Sequence, residues 1–177
     1  MKSTSIDPSV VDEDGVYRHR GPARIFTTER AAMEAIKGQK IRPGDVMVLL
    51  SCGPMGSGME EIAQVTIALK YLEFGKHVAV LTDARFSGFF TGACIGHIGP
   101  EALAGGPVGK LVEGDVIEVI VDRENLRGSI DLVGHQDEEF GADKGTQVLA
   151  ARAPRSDLAP EEELPDDTRL WAALQNV

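Results

Sequence analysis

Continuous apolar runs flank a helical stripe in the middle of the chain. The runs VMVLL at 46–50 and VAVL at 78–81 have no polar interruption, which is typical of strands buried on both faces. Between them, apolar residues recur at steps of three and four positions, as on one face of an amphipathic helix. This stripe consists of Met59, Ile62, Val65, Leu69 and Leu72. Strand, helix and strand in that order predict a βαβ unit with two parallel strands.

The flanking segments predict further helices and strands. The segment TTERAAMEAIKG at 27–38 predicts a short helix, with Thr27 as its N-cap and Gly38 as its stop. VIEVIV at 116–121 predicts a half-exposed strand, and GSIDLVG at 128–134 predicts its neighbour. The pattern therefore predicts a mixed α/β fold that turns toward antiparallel β in its second half.

Polarity divides the chain into three parts. Residues 1–20 are polar and irregular and predict an N-terminal arm, while residues 21–135 carry the strands and helices of one domain. Residues 136–177 predict an acidic C-terminal extension with short helices, one within 137–154 and one at 166–174. With 177 residues, the chain is long enough for one domain with a substantial core.

Composition argues against several classes of partner. The chain is 42% hydrophobic and 26% charged, as in ordinary globular proteins, and its formal net charge is -10. So strong an acidic balance disfavours binding of nucleic acid or an anionic membrane by bulk electrostatics. No apolar run reaches the ~20 residues of a membrane span, and the N-terminal residues lack the apolar region of a secretory signal. We therefore expect a cytoplasmic protein in which Cys52 and Cys94 are reduced, buried thiols.

Residues that could carry chemistry concentrate in two glycine-rich loops, each following an apolar strand. The first loop is GPMGSGMEE at 53–61, and the second lies within 81–107. Because the carboxyl ends of parallel strands meet at one edge of a sheet, the two loops are expected to face one another. Bare N–H groups in the first loop favour an anion. Its Glu60 and Glu61 either complement a helix dipole or supply a hard oxygen ligand for Mg²⁺.

Several side chains of the second loop have two interpretations. Ser87 is either a site hydroxyl or one that stabilises a turn, and His97 is either a site residue or a buried histidine bonded to backbone. Asp83 and Arg85 have the simpler alternative of pairing with each other or capping. Glu101 follows a proline at an expected helix start, so we expect it to cap or to face solvent.

The same loops carry a family resemblance. The stretch TDARFSGFFTGACIGHIGPEALAGGPVGKLVEGD at 82–115 strongly resembles the C-terminal domain of the iron–sulfur dehydratases, which include dihydroxy-acid and 6-phosphogluconate dehydratases. GPARIF at 21–26 and the first loop resemble the same family in the same order, and the resemblance runs from Lys2 to the end of the chain. GSGMEEI and TDARFSG are most similar to the sugar-acid branch, of the D-xylonate type. Amino-acid-pathway members usually have Gly where this chain has Ala84, and a first loop one residue longer.

This resemblance implies a fold and a reaction. The fold is a three-layer β/β/α swivelling domain, with a barrel-like mixed sheet and outer helices, over residues 21–135. The reaction is that of a hydro-lyase, which converts a 2,3-dihydroxy sugar acid to a 2-keto-3-deoxy acid. Ser87 aligns with the family's catalytic base, and Glu61 with a Mg²⁺ ligand, Glu60 being the alternative register. The substrate-binding residues that we expect are Gly56, Gly58, Asp83, Arg85, Gly88 and His97.

The resemblance also implies cofactors and partners that this chain does not hold by itself. In the family, the iron–sulfur cluster and the remaining Mg²⁺ ligands belong to a larger N-terminal domain, to which nothing in this sequence corresponds. We therefore expect a C-terminal domain that is inactive alone and binds no cofactor alone, and that joins this partner domain in a homo-oligomeric enzyme. Two alternatives stay open: a dihydroxy-acid dehydratase of branched-chain amino-acid synthesis, and a non-catalytic anion-binding module of the same fold.

Overall fold

Residues 3–87 and 90–162 are described by the computed structural model. They form a mixed sheet of seven strands in the order β4-β3-β2-β1-β5-β6-β7. The strands are β1 (Val16–Phe26), β2 (Val46–Leu49), β3 (Ala79–Thr82), β4 (Cys94–Ile95), β5 (Asp115–Asp122), β6 (Arg127–His135) and β7 (Glu138–Glu139). The α-helices are α1 (Glu29–Lys37), α2 (Pro54–Ser57), α3 (Ala63–Lys70) and α4 (Ala142–Ala151). Short 3-10 helices lie at Ser3–Ser5, Pro8–Val10, Gly75–His77 and Pro107–Lys110.

The long strand β1 joins a parallel half of the sheet to an antiparallel half. Its last residues, from Ala23 onward, pair in parallel with β2, and β3 and β4 continue the parallel order. Its first residues, from Val16 to Pro22, pair antiparallel with β5, which in turn pairs with β6. The predicted βαβ unit is confirmed as β2, α3 and β3, and so is the turn toward antiparallel β.

Apolar residues of β2 point alternately into two cores, one on each side of the sheet. Val46 and Val48 belong to one cluster, and Met47 and Leu49 belong to the other. Helices α1 and α3 contribute Ala32, Ala35, Val65 and Leu69 to the second cluster. Burial of both faces explains why this strand is a continuous apolar run, since neither side chain row meets water.

The first half of β1 falls within the segment that the sequence pattern treats as an irregular arm. Val16 and Tyr17 are buried, whereas Arg18 and Arg20 are exposed. The strand begins at Val16 and extends through the GPARIF segment. Its first half is not visible in the sequence pattern, because charged residues on the outer face hide the two-residue period. The domain boundary at residue 20 stays a prediction.

Two helices begin later than the pattern predicts. Thr28, and not Thr27, is the N-cap of α1, because its Oγ1 accepts the amide of Ala31 at 3.2 Å. Helix α3 begins at Ala63. Met59 cannot belong to it, because its backbone is left-handed with φ of 70°. The Met59 end of the apolar stripe is therefore loop, and the alternative that Glu60 and Glu61 stand in the first helical turn is wrong.

The C-terminal region is described in part. Helix α4 confirms the helix predicted within 137–154. The helix predicted at 166–174 lies outside the described residues. Within the described part of the chain, no helix is long and apolar enough to cross a membrane.

Candidate functional site

The two glycine-rich loops meet beyond the carboxyl ends of β2 and β3, as predicted. The buried carboxylate of Asp83, 1% exposed, accepts the amide of Cys52 at 3.0 Å and that of Ala102 at 3.1 Å. Asp83 thus ties the start of the first loop to the far end of the second. Burial raises the pKa of its carboxyl, and the backbone amides that it accepts oppose this shift.

A second link joins the loops at Arg85. Its exposed side chain donates from Nε to the carbonyl oxygen of Met59 at 2.8 Å, and its own carbonyl accepts the amide of Ile62 at 3.1 Å. Glu61 and Arg85 form an isolated parallel β-bridge. Arg85 therefore contacts the backbone on both sides of Glu61. The alternative that it pairs with Asp83 is wrong, because Asp83 accepts backbone amides.

Glycine is required at two positions of the first loop. A Cβ atom on Gly56 would lie 2.0 Å from the carbonyl oxygen of Ser51, so only glycine lets these backbones pack. Gly58 ends α2 with φ of 67°, a left-handed conformation that glycine adopts at little cost. These contacts give both residues a structural reason to be glycine, and substrate binding by them stays a prediction.

His97 lies at a cavity of about 450 Å³ between the loops. Asp83, Glu101 and Met59 line the same cavity. The His97 side chain is exposed, its backbone φ is 56°, and its amide donates to the carbonyl of Ala84 at 2.8 Å. The alternative of a buried histidine is therefore wrong. A non-glycine residue in this conformation is strained, and such strain is concentrated at functional sites.

Glu61 lies at a different cavity, of about 540 Å³, together with Glu60. Ser51 also lines it, with its hydroxyl buried and without a partner among the described residues, and with φ of 61°. Among the predicted site residues, Asp83 and His97 therefore line one cavity and Glu61 lines the other. Four more, Gly56, Gly58, Arg85 and Ser87, line neither of these two cavities. Ser87 is exposed on the connection between β3 and β4, and Gly88 lies outside the described residues.

The chemistry of Glu61 fits one part of a magnesium site. Its exposed carboxylate offers hard oxygen ligands to a cavity that also contains Glu60. Within residues 3–87 and 90–162, however, no group of three or more His, Cys, Asp or Glu side chains is arranged to hold a metal ion. The described residues can therefore supply fewer than three such ligands to one ion, and further protein ligands or water would complete the coordination shell.

The two cysteines do not fit an iron–sulfur cluster. Both are free and buried, and burial raises the pKa of each thiol to about 12. Cluster ligands are thiolates, which these environments disfavour. The expectation of buried, reduced thiols is confirmed.

Slow reaction of both thiols with Ellman's reagent is expected in the folded chain. At about pH 8, an unperturbed thiol is partly thiolate, whereas a pKa near 12 reduces the thiolate fraction of Cys52 and Cys94 on the order of a thousandfold. Absorbance at fixed reagent concentration should show two thiols reacting at once in urea and neither reacting rapidly in buffer. Rapid labelling of either folded thiol would contradict the buried environment.

For Glu101 the sequence left two alternatives, capping a helix or facing solvent, and the second is wrong. Glu101 is only 4% exposed, and instead of facing solvent it accepts the amide of Met55 at the start of α2. Burial raises the pKa of its carboxyl, the Met55 amide opposes this, and the nearby Asp83 raises it further. An acidic residue inside a glycine-rich segment was the one sequence signal that could have indicated the role of Glu101. For Ser51, which lines the other cavity, the sequence contains no such signal.

Comparison with known proteins shows the family to which this chain belongs. Residues 2–157 match the profile of the family described as "Dihydroxy-acid/6-phosphogluconate dehydratase C-terminal". The match covers most of the chain, including both loops. The chain belongs to this family, and the resemblance found in the sequence is confirmed.

Among individual relatives, the chain is similar to D-xylonate dehydratases and to dihydroxy-acid dehydratases. The chain is 54% identical over 179 residues to the D-xylonate dehydratase YjhG of Escherichia coli K12, a match that covers 100% of the chain and 27% of that protein. D-xylonate dehydratase YagF of the same organism is 54% identical over 177 residues, with the same coverage. A dihydroxy-acid dehydratase of Methanococcoides burtonii is 46% identical over 125 residues, covering 68% of the chain and 23% of that protein. The chain thus spans about a quarter of the length of these relatives.

Proposed function

We propose that this chain is the C-terminal part of a sugar-acid dehydratase that converts an aldonate, such as D-xylonate, to its 2-keto-3-deoxy acid. The observation that carries the proposal is the link between the loops at Arg85, whose Nε lies 2.8 Å from the Met59 carbonyl oxygen. It brings the backbone that carries Glu61 beside the strand end that leads to Ser87. Identity of 54% over the whole chain to the D-xylonate dehydratases favours this branch above dihydroxy-acid dehydratases, which are 41–48% identical over 68–81% of it.

In this proposal, Ser87 removes the C2 proton of the substrate. It is suited to the role because it is an exposed hydroxyl on a glycine-rich connection, where backbone can approach a ligand closely. Arg85 and His97, both exposed at the same edge, would donate hydrogen bonds to substrate oxygens. Gly56, Gly58, Asp83 and Gly88 complete the proposed substrate-binding set. Asp83, which is largely buried, also holds the two loops together through the amides of Cys52 and Ala102.

Glu61 would hold Mg²⁺ as one of several ligands. When bound, this ion supplies Lewis-acid chemistry at the substrate oxygens and lowers the cost of charge that develops at C2. Because the cysteines of this chain do not fit a cluster, the iron–sulfur cluster would be held by an N-terminal domain. The complete enzyme that we propose is a cytoplasmic homo-oligomer, in which this domain adopts the three-layer swivelling arrangement of its family.

Reassembly with the missing part of a relative tests the proposed function. We would combine this chain with the remaining part of YjhG, loaded with cluster and Mg²⁺, and measure the 2-keto-3-deoxy product from D-xylonate as its semicarbazone. Product is expected from the mixture and from neither part alone, since the proposed ligands and base are divided between the parts. Parallel assays with other aldonates and with a branched-chain dihydroxy acid define the substrate class. Turnover by this chain alone, or turnover of the branched-chain acid only, would contradict the proposal.

A further inference from the structure

We infer that Glu101 is a positioning residue, which holds the first glycine-rich loop in the place from which Glu61 acts. The residue was outside the site predicted from the sequence, and the proposed function gives it no contact with substrate or metal. Its importance for catalysis rests on the proposed function. Its effect on the loop is a property of the chain itself and can be measured without activity.

Glu101 grips the start of α2 through both carboxylate oxygens. The amide of Met55 lies 2.9 Å from Oε1 and 3.1 Å from Oε2. The same carboxylate lies against Gly53, where an added Cβ would be 2.2 Å from Oε2. Gly53 is therefore small because the Glu101 carboxylate occupies the space that a side chain would need.

Asp83 also links the segment around Gly53 to the segment around Glu101. It accepts the amide of Cys52, just before Gly53, and the amide of Ala102, just after Glu101. Two buried carboxylates from separate segments thus clamp residues 52–55 against residues 101–102. In the described part of the chain, backbone amides hold both groups, and no cation pairs with either of them.

Burying two carboxylates costs free energy that packing contacts by themselves do not require. A buried charge without a cation loses much of its solvation, and two such carboxylates close together disfavour each other. A neutral side chain of similar size would fill the space at lower cost. What a carboxylate adds is a stronger, charge-assisted bond to the amide of Met55, and therefore a more rigid loop.

Ser57 connects α2 to the backbone just before Glu61 through two hydrogen bonds. Its hydroxyl donates to the carbonyl of Cys52 at 3.0 Å and accepts the amide of Glu60 at 3.2 Å. Glu60 and Glu61 follow directly, before the backbone of Ile62 is fixed by the carbonyl of Arg85. Glu101 therefore fixes the start of α2, and the hydrogen bonds of Ser57 extend this order to the residues that carry the Glu61 carboxylate.

Amide hydrogen exchange in the isolated chain tests the grip. In Glu101→Ala, exchange of the Met55 amide should accelerate on the order of ten- to a hundredfold, the loss expected for a bond to a charged group. The Glu60 amide should accelerate as well, while the Val119 amide in β5 keeps its rate. Glu101→Gln, which preserves size and one acceptor, should show a smaller acceleration. The matched control is Glu113→Gln, because Glu113 also accepts a backbone amide, that of Ile25, and lines neither cavity.

The reassembled enzyme tests the consequence for catalysis. Glu101→Ala should raise the Mg²⁺ concentration for half-maximal activity roughly tenfold or more, with partial rescue by Glu101→Gln. Unchanged Met55 exchange, or acceleration of Met55, Glu60 and Val119 alike, would overturn the inference, because the residue would then hold nothing or merely stabilise the fold. Normal Mg²⁺ dependence alongside accelerated exchange would also overturn its positioning role. An inactive wild-type assembly would count against the proposed function, while Met55 exchange would still decide whether Glu101 holds the loop.

Discussion

Ser87→Ala is expected to reduce the dehydration rate of the reassembled enzyme by roughly 10²- to 10⁴-fold, the usual contribution of a general base. The Michaelis constant for the aldonate should change little, because a hydroxyl that acts on the C2 proton contributes mainly in the transition state. Steady-state kinetics of product formation give both quantities. Loss of rate with retained substrate affinity would separate the proposed base from the alternative of a hydroxyl that stabilises a turn.

Ser129→Ala is the matched control for this substitution. Ser129 is also an exposed serine, but it lies in β6, in the antiparallel half of the sheet. The control variant should retain the wild-type rate. Full activity of Ser87→Ala would show that another group removes the proton, and a raised Michaelis constant with an unchanged rate would assign Ser87 to binding only.

Asp115→Ala is expected to lower the free energy of unfolding by about 3–5 kcal/mol, the usual cost of removing one partner of a buried ion pair. Asp115 is fully buried, and Arg152 of α4 donates to it from Nη1 at 2.6 Å and from Nη2 at 2.9 Å. His135 Nδ1 at 2.9 Å and the amide of Val112 at 2.9 Å complete its partners. Removing the carboxylate leaves four donors without their acceptor. The loss is a large part of the ~5–15 kcal/mol by which domains are stable.

An exposed ion pair on the same helix supplies the control. Lys144 of α4 lies 3.0 Å from Glu138, and the side chains are 57% and 66% exposed. Lys144→Ala should therefore cost less than about 1 kcal/mol. Urea unfolding followed by circular dichroism compares the two variants at neutral pH. Equal losses would mean that the Asp115 contacts contribute no more than a surface pair.

Burial on two faces made half of the fold predictable. A strand that meets a core on each side must be apolar throughout, so β2 and β3 stand out as uninterrupted runs, and the helix between them has a readable period. Strand β1 carries Arg18, His19 and Arg20 on a partly exposed stretch, and the sequence there shows no alternation of apolar and polar residues. The start of α3 was missed for a different reason, because Met59 fits the apolar stripe in sequence but has a left-handed backbone.

The sequence predicted correctly that the two glycine-rich loops meet, but it did not predict how their side chains are arranged. Two glycine-rich loops after two neighbouring parallel strands had to meet, and Asp83 and Arg85 confirm that they do. Which side chains face a cavity depends on where each loop turns. His97 was expected to be buried if it was structural, yet the structure exposes it. Glu101 was expected to cap a helix or to face solvent, and the structure buries it against the start of α2.

The sequence by itself determined the α/β class, the parallel βαβ unit and the edge of the sheet where both loops lie, because these depend on local period and chain order. The family came from the resemblance of its motifs to known dehydratases, which the comparison confirms. The tertiary structure alone decided that Glu61 and His97 line separate cavities, and that two buried carboxylates, Asp83 and Glu101, hold the first loop in place. The physical reason is that a carboxylate in a glycine-rich segment is suited equally to water and to backbone amides. Only the folded chain shows which amides lie within hydrogen-bond distance of it.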